Sequence, residues 1–429
     1  MIAALISVFV LTYLAIALEE PLKVNKSAAA LLGAGLLWTI YALATGDAAV
    51  VDEELSHSLV DTAQIAFFLL GAMTIVEVVD AHDGFDVITS RLRARTLATL
   101  LIFICGVTFF LSAVLDNLTT TIVMISLVKR LLREHDDRLI FAGMIVISAN
   151  AGGAWSPMGD VTTTMLWIGG QVTSLAIVTR LIVPSLVNML VPLAIVAYGV
   201  RGRPILAPER SAEPMAGEYV TTPFERNLMF ALGLAALLAV PVFKAVTHLP
   251  PFLGILFGLG LLWAVGDRIH HEKPHMERRR VTIAHALTRI DMSAITFFIG
   301  ILLAVATLEH GGILRSLALW LDATIGRLDV IVVAFGLLSA IIDNVPMVAA
   351  AMGMYDMGTH PTDSFLWEFM AYCAGTGGSI LIIGSAAGVA AMGVEKIGFV
   401  WYLRRFGALA LGGYFAGAAV YIIQANLIS

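Results

Sequence analysis

Charge is what this chain has least of. Only 14% of its 429 residues are Asp, Glu, Lys or Arg, while 59% are hydrophobic, and the mean hydropathy is +0.89. A soluble domain carries about 25% charged and about 45–50% apolar residues, so the composition excludes an ordinary water-soluble enzyme or nucleic-acid-binding protein. Cysteine is nearly absent too. Cys105 and Cys373 both lie in apolar stretches, which argues for two small buried side chains rather than a disulfide framework or a thiolate metal centre. There is no Walker loop and no G-x-S-x-G nucleophile elbow, and no polar stretch long enough to form a nucleotide-binding domain. Neither a cofactor nor a nucleotide is expected, and the expected partner is the lipid bilayer. The first residues, MIAALISVFVLTYLAIALEE, lack a basic n-region and a small-x-small cleavage site, so they are expected to be a retained first span.

What is present is a succession of apolar runs near the roughly 20 residues that carry an α-helix across a bilayer. Their continuity, without strand-like alternation, predicts an all-α polytopic membrane protein and argues against a β-barrel. The expected spans are 2–18, 27–45, 61–79, 181–200, 227–247, 251–266, 291–308 and 405–424. Two hairpins are expected at 97–130 and 328–355, and two interrupted spans at 138–170 and 368–394. A polar linker, 201–226, divides a first unit (1–200) from a second (227–429).

The few basic residues test this map. If both termini are outside and neither hairpin crosses, 22 of the 26 Lys and Arg fall inside. Only Arg180, Lys244, Arg315 and Arg327 fall outside, together with an acidic loop at 46–61. So strong a positive-inside bias predicts re-entrant hairpins, the first opening to the cytoplasm and the second to the opposite side.

The two units resemble each other. LSAVLDN (111–117) recurs as LSAIIDN (338–344), IAFFLLGA (65–72) as ITFFIGIL (295–302), DAHDGF (80–85) as LEHGGI (308–313), and NAGGAWSPMGD (150–160) as GTGGSILIIGS (375–385). The offsets are 227, 230, 228 and 225 residues. Five crossings and a hairpin per unit would turn the second unit upside down relative to the first. Inverted repeats with broken helices are the architecture of secondary transporters, whose sites lie near the midplane.

Four polar clusters interrupt the apolar runs: Asp116 with Asn117, Asp343 with Asn344, SANAGGAWSPMGDVTTT (148–164) and AGTGGSILIIGS (374–385). Gly152, Gly153, Gly377 and Gly378 are expected to let helices unwind, and Pro157 to stop one from continuing. A carboxylate inside a membrane costs roughly 2.5–3.5 kcal/mol on insertion scales, and such residues are usually functional. Carboxylates, amides, hydroxyls and freed carbonyls are hard oxygen ligands suited to a small cation. A desolvated carboxylate can hold either a proton or a cation, which is the minimal chemistry of exchange. Asp116, Asp160 and Asp343 are the leading carboxylates, with helix capping as the plain alternative for each. Glu77, near a span end, is a candidate proton relay or an interfacial residue. His82 and His310 are read as solvated, HHEKPH (270–275) as a solvated loop, and Trp38, Tyr198, Trp263 and Trp401 as an interfacial belt.

The block ISANAGGAWSPMGDVTTTMLW (147–167), with LDNLTTT upstream, resembles NhaD-type sodium/proton antiporters of the ion transporter superfamily. The resemblance covers nearly the whole chain. It implies exchange of cytoplasmic Na+ or Li+ for external protons in a bacterial inner membrane, a homodimer, and an elevator-like motion of hairpins and broken helices. Carried over by motif, the family's polar residues fall on Asp116, Asn117, Asn150, Asp160, Thr162, Thr163, Ser339, Asp343, Asn344, Thr376 and Ser379. Thr376 departs from the serine the family tends to carry, and Glu77 matches a family glutamate. Na+ would be the metal at Asp116, Asp343 and Asp160. The superfamily's anion carriers have Ser-Asn-Thr at their tips; here Asp replaces the first Ser in both. An arsenite or carboxylate transporter of the same fold is the alternative, disfavoured because no Lys or Arg lies in the four clusters. A channel or scaffold without coupled exchange is the third reading.

Overall fold

The computed structural model describes residues 1–85, 96–205, 221–271, 281–341 and 343–428. Most of the linker, the end of HHEKPH, and Arg91, Arg93, Arg95, Arg210, Lys273, Arg278, Arg279 and Arg280 lie outside the described residues. Among the described residues the protein is all-helical and contains no β-strand, only an isolated bridge between Thr96 and Pro204.

The first part of the chain forms α1 (Ile2–Ala17), α2 (Lys26–Thr45), α3 (Ala48–Ala81), α4 (Leu97–Ser112), α5 (Asn117–Leu131), α6 (His135–Ala154), α7 (Val161–Ile168) and α8 (Ser174–Gly199). The second forms α9 (Pro223–Thr247), α10 (Pro251–Ile269), α11 (Met292–His310), α12 (Ile313–Ile325), α13 (Leu328–Leu338), α14 (Asn344–Met354), α15 (Phe365–Gly377), α16 (Ala386–Glu395) and α17 (Ala408–Ile428), with α17 entered through Phe399–Tyr402 and a π turn. Seven helices among the described residues are long and apolar enough to cross a membrane. Large apolar side chains such as Leu43, Phe257 and Leu427 are exposed on the outside of the bundle, as a lipid-facing surface requires.

Three elements differ from expectation. The acidic stretch 46–61 is not a loop, because α3 runs unbroken for 34 residues. Asp47 caps it by accepting from the backbone of Ala49 and Val50, and its carboxylate stands at the N-terminus, where the helix dipole favours negative charge. The linker ends early, at Thr222, whose capping box with Glu225 starts α9. Helix α12 was not foreseen. It is only 13 residues long and carries Arg315 and Asp322, so it shows neither span length nor a hairpin signature.

Packing sorts the helices into two groups. In one, α2 lies against α1 and α11, and α3 against α9, α10 and α11. In the other, α4 and α5 pack on α6, α13 and α14 on α15, α5 on α16, α14 on α7, and α8 on α17. The groups meet along a seam where α11 runs beside α14 and α3 touches α7. At the centre of the second group lie α6 and α15, buried without interruption from Leu139 to Ala154 and from Leu366 to Gly378. Their small residues permit this close approach.

The first glycine pair lies within its helix, whereas the second stands where its helix ends, with Gly378 as the C-cap of α15. Gly152 and Gly153 lie inside α6, and Gly377 lies inside α15. Their role is contact: a Cβ on Gly152 would strike the carbonyl of Phe109 in α4, and one on Gly377 the carbonyl of Gly336 in α13. The break begins at Trp155, ahead of Pro157, and ends where Asp160 starts α7.

The histidines and Trp38 also depart from expectation. His82 is fully buried and stacks on the buried His270 with ring centroids 5.0 Å apart. His310 is half-buried between Trp38 and Ser58. Trp38 itself faces inward and donates to the carbonyl of Leu303 in α11, so it belongs to helix packing and not to an interfacial belt.

Candidate functional site

The starts of α5, α7, α14 and α16 and the ends of α6 and α15 converge at the middle of the second group. Asp160 occupies the N-cap of α7, where its Oδ1 accepts from the Thr162 N–H at 2.9 Å and the Thr162 hydroxyl at 2.7 Å. The tips of both helical pairs then reach the same carboxylate. Asn117 at the start of α5 donates its Nδ2 to Asp160 Oδ2 at 2.6 Å, and Asn344 at the start of α14 donates to Oδ1 at 3.4 Å. Asp160 is 1% exposed. Its hydrogen-bond partners are neutral, and among the described residues no Lys or Arg pairs with it.

Asn150 extends the network into the second break. Its Oδ1 accepts from Asn117 Nδ2 at 3.1 Å, and its own Nδ2 donates to the hydroxyls of Ser379 and Ser385, each at 2.9 Å. Ser385 caps α16 by accepting from Gly388 N. It was missed in the sequence reading, although the signal was present: at the offset of 225 residues, Ser385 stands where Asp160 stands in the first unit.

The other two aspartates cap the hairpin tips. Asp116 precedes α5 and accepts from the N–H and hydroxyl of Thr119, both at 2.8 Å. Its backbone sits at φ 141° and ψ 160°, a region otherwise reserved for glycine that costs about 1–3 kcal/mol. Asp343 precedes α14 in an ordinary extended conformation, φ −47° and ψ 136°, and accepts from Val345 N at 3.2 Å. Its Oδ2 also lies 3.4 Å from the ammonium of Lys26. Lys26 therefore belongs to the site, although the sequence placed it in a cytoplasmic loop and no basic residue in the polar clusters.

Asp116, Asn117, Asp160, Asp343, Asn344 and Lys26 line one cavity of about 530 Å³. Glu19 and Asp291 line it as well, so among the described residues five carboxylates face a single ammonium. Among the described residues no three His, Cys, Asp or Glu side chains stand close enough together to hold a metal ion. The three aspartates share a cavity without forming one compact ligand cluster.

The remaining hydroxyls brace helices. Thr163 donates to the carbonyl of Asp160, and Thr376 to the carbonyl of Tyr372 one turn back in α15. Ser339 donates to the carbonyls of Gly336 and Ala374, tying α13 to α15. Ser112 does the same between α4 and α6 by donating to Ala149 O at 2.6 Å. Glu77 does not line the cavity; it pairs with Arg289 at 2.9 Å near the end of α3.

Broken helices meeting hairpin tips around a charged cavity in an apolar bundle define a polytopic membrane protein with a polar interior. Comparison with known proteins gives the family. A family model described as "Citrate transporter" matches residues 13–375. The chain is 48% identical to sodium/proton antiporter 1 of Arabidopsis thaliana, over 99% of this chain and 73% of that protein. It is 45% identical to sodium/proton antiporter 2 of the same plant, over 97% and 98%. It is 31% identical to the Na(+)/H(+) antiporter NhaD of Vibrio cholerae, over 95% and 89%. The chain belongs to the citrate-transporter family and, within it, groups with the NhaD-type sodium/proton antiporters.

Proposed function

We propose that the protein exchanges Na+, and Li+ as its smaller analogue, for H+ across the membrane. The observation that carries this reading is Asp160: a carboxylate almost fully removed from water, ringed by neutral donors and open to a cavity. A buried carboxylate without a basic partner takes either a proton or a cation, and one group that must hold one or the other couples the two flows. Asp116 and Asp343 add negative charge to the same cavity, while Asn117, Asn344 and Thr162 hold Asp160 in place and Asn150 holds Asn117. Thr163, Ser339, Thr376 and Ser379 keep the broken helices in register, and Glu77 stands outside the pathway. The named activities of the antiporter relatives support cation exchange. The family description raises an anion as cargo, but five carboxylates against one ammonium would repel a polyanion.

Helix contacts support a duplication, and the odd number of crossings expected in each unit would make it an inverted one. Exchanging matched helices carries the α4–α6 contact onto α13–α15, α5–α16 onto α14–α7, and α3–α10 onto α11–α2. The paired serines Ser112 and Ser339 make matching hydrogen bonds. The cavity is rimmed by Lys26 and Asp291, beside Arg289 and Lys23, and the positive-inside rule assigns that rim to the cytoplasm. On this reading both termini are outside, a bacterial inner membrane is the host, Na+ enters from within, and the state is inward-open. Homodimerisation, and an elevator motion of the second helix group against the first, complete the proposal.

The test uses the full-length protein in proteoliposomes with an entrapped pH-sensitive dye. Adding Na+ should collapse an imposed pH gradient and Asp160→Asn should abolish the response. Collapse by citrate or arsenite in place of Na+ would instead establish the anion reading.

A further inference from the structure

Lys26 is an anomaly in a cavity built for a cation. It opens α2, and that end of the helix is pinned to α11. The Ser27 hydroxyl donates to Ser293 O at 2.6 Å, the Ser293 hydroxyl donates to Asn25 Oδ1 at 3.1 Å, and the Lys26 N–H donates to Glu19 Oε1 at 3.1 Å. The side chain then runs over the ring of Phe297 in α11, with Nζ 4.6 Å from its centroid, and reaches Asp343 at 3.4 Å. The aromatic face favours the ammonium and directs it. Both members of the pair keep partial solvent contact, at 29% and 20% side-chain exposure, so the pair can be opened without burying a bare charge.

The pair also crosses the seam. Lys26 and Phe297 belong to the group of α1–α3 and α9–α11, while Asp343 sits at the tip between α13 and α14 in the other group. Among the described residues no equivalent reaches Asp116, whose carboxylate is held by Thr119 of its own helix. One tip is self-contained and the other is tied across the seam by a charge.

We propose that Lys26 is a tethered competitor for the transported cation: its ammonium holds the Asp343 carboxylate in the empty site, and Na+ binds by displacing it. The ammonium is covalently fixed and cannot leave with the cargo, so it supplies a resident counter-charge for an unoccupied cavity. Displacement frees the second tip from α2 and α11, which links cation occupancy to the freedom of the α13–α14 pair to move along the seam. Lys26 is thus a specificity-determining and positioning residue, acting through Asp343. This proposal rests on the cation-exchange reading.

The experiment measures Na+-dependent proton flux in proteoliposomes across a range of Na+ concentrations, for wild type, Lys26→Met, Lys26→Gln and Lys26→Arg. Removing the competitor should lower the apparent KM for Na+ about fivefold in Lys26→Met and Lys26→Gln, equivalent to about 1 kcal/mol at 1.4 kcal/mol per tenfold. Lys26→Arg keeps the charge and should keep the wild-type KM. In parallel, the Na+ concentration giving half-maximal thermal stabilisation of the detergent-purified protein should fall by the same factor, a readout independent of turnover. An unchanged or raised KM and binding midpoint in the neutral variants overturns the proposal, as does a fall in Lys26→Arg equal to that in Lys26→Met. A wild-type protein giving neither flux nor stabilisation with Na+ overturns the exchange reading itself.

Discussion

The two broken helices share a backbone plan and differ in chemistry. In each, a fully buried helix ends near the middle of the bundle and a shorter one restarts after a turn (α6 then α7, α15 then α16). The first carries Asn150 and Asp160; at the matched positions the second carries Gly375 and Ser385. All the charge at the breaks is therefore on one side, and the second break serves as an acceptor platform, with Ser379 and Ser385 both receiving the Asn150 amide. The difference teaches that one backbone plan can carry a carboxylate at one break and only hydroxyls at the other. Two buried carboxylates facing each other at the breaks would repel, whereas one carboxylate with hydroxyls opposite leaves room for one cation or one proton.

The largest expected effect separates the caps. Asp160→Asn should reduce Na+-driven proton flux by at least about a hundredfold, about 3 kcal/mol at 1.4 kcal/mol per tenfold. Ser385→Ala should stay within about tenfold, because Asn150 retains Ser379 and a neutral hydrogen bond contributes about 1 kcal/mol. Equal losses in the two variants would break the idea of a one-sided site. Next come the tip amides. Asn117 makes bonds of 2.6 and 3.1 Å, while Asn344 makes one of 3.4 Å. Asn117→Ala should cost about 2 kcal/mol of thermal stability and Asn344→Ala about half that, since hydrogen bonds to charged groups contribute about 1.5–3 kcal/mol when well formed.

A smaller effect tests the strained tip. Glycine relieves a backbone held in a glycine-only region, which costs a non-glycine residue about 1–3 kcal/mol. Asp116→Gly should therefore lower the melting temperature less than Asp343→Gly, even though each loses a capping carboxylate. A larger drop for Asp116→Gly would show that its bonds to Thr119 outweigh the strain. The smallest effect is expected for Glu77→Gln, which should leave flux within about threefold. Glu77 faces Arg289 outside the cavity, and half-exposed pairs contribute about 1 kcal/mol or less. A loss as deep as that of Asp160→Asn would move Glu77 into the proton path.

Much of the site was legible in the chain. Asp116, Asp343 and Asp160 could be picked out because a carboxylate in an apolar run is costly and therefore conspicuous. Asn150 and the tip asparagines came with them through repetition and family resemblance. Ser385 and Lys26 were missed for different reasons. A serine among apolar residues is cheap to bury and sends no signal, even at a position matched to Asp160. Lys26 stands at the start of a span, where lysine is ordinarily interfacial, and only its four-carbon stem lying across Phe297 turns it toward a residue 317 positions away. The close contacts that Gly152 and Gly377 permit were not legible, because they show only once the neighbouring helices are in place. His82 and His270 were read as solvated because nothing local tells a span-end histidine in water from one stacked on another ring.

By itself the sequence determined the helical class, most of the long apolar helices and the places where polar atoms interrupt them. All three follow from the local cost of placing charge and open backbone in hydrocarbon, which is paid residue by residue. Only the tertiary structure decided which interruptions meet. That both tip asparagines converge on Asp160, that the hydroxyls opposite come from the other break, and that a lysine from α2 reaches one tip and not the other depend on helix packing across hundreds of residues. Those contacts follow from shape complementarity along the buried faces of α6 and α15 and along the seam between α11 and α14, which no local feature of the chain encodes.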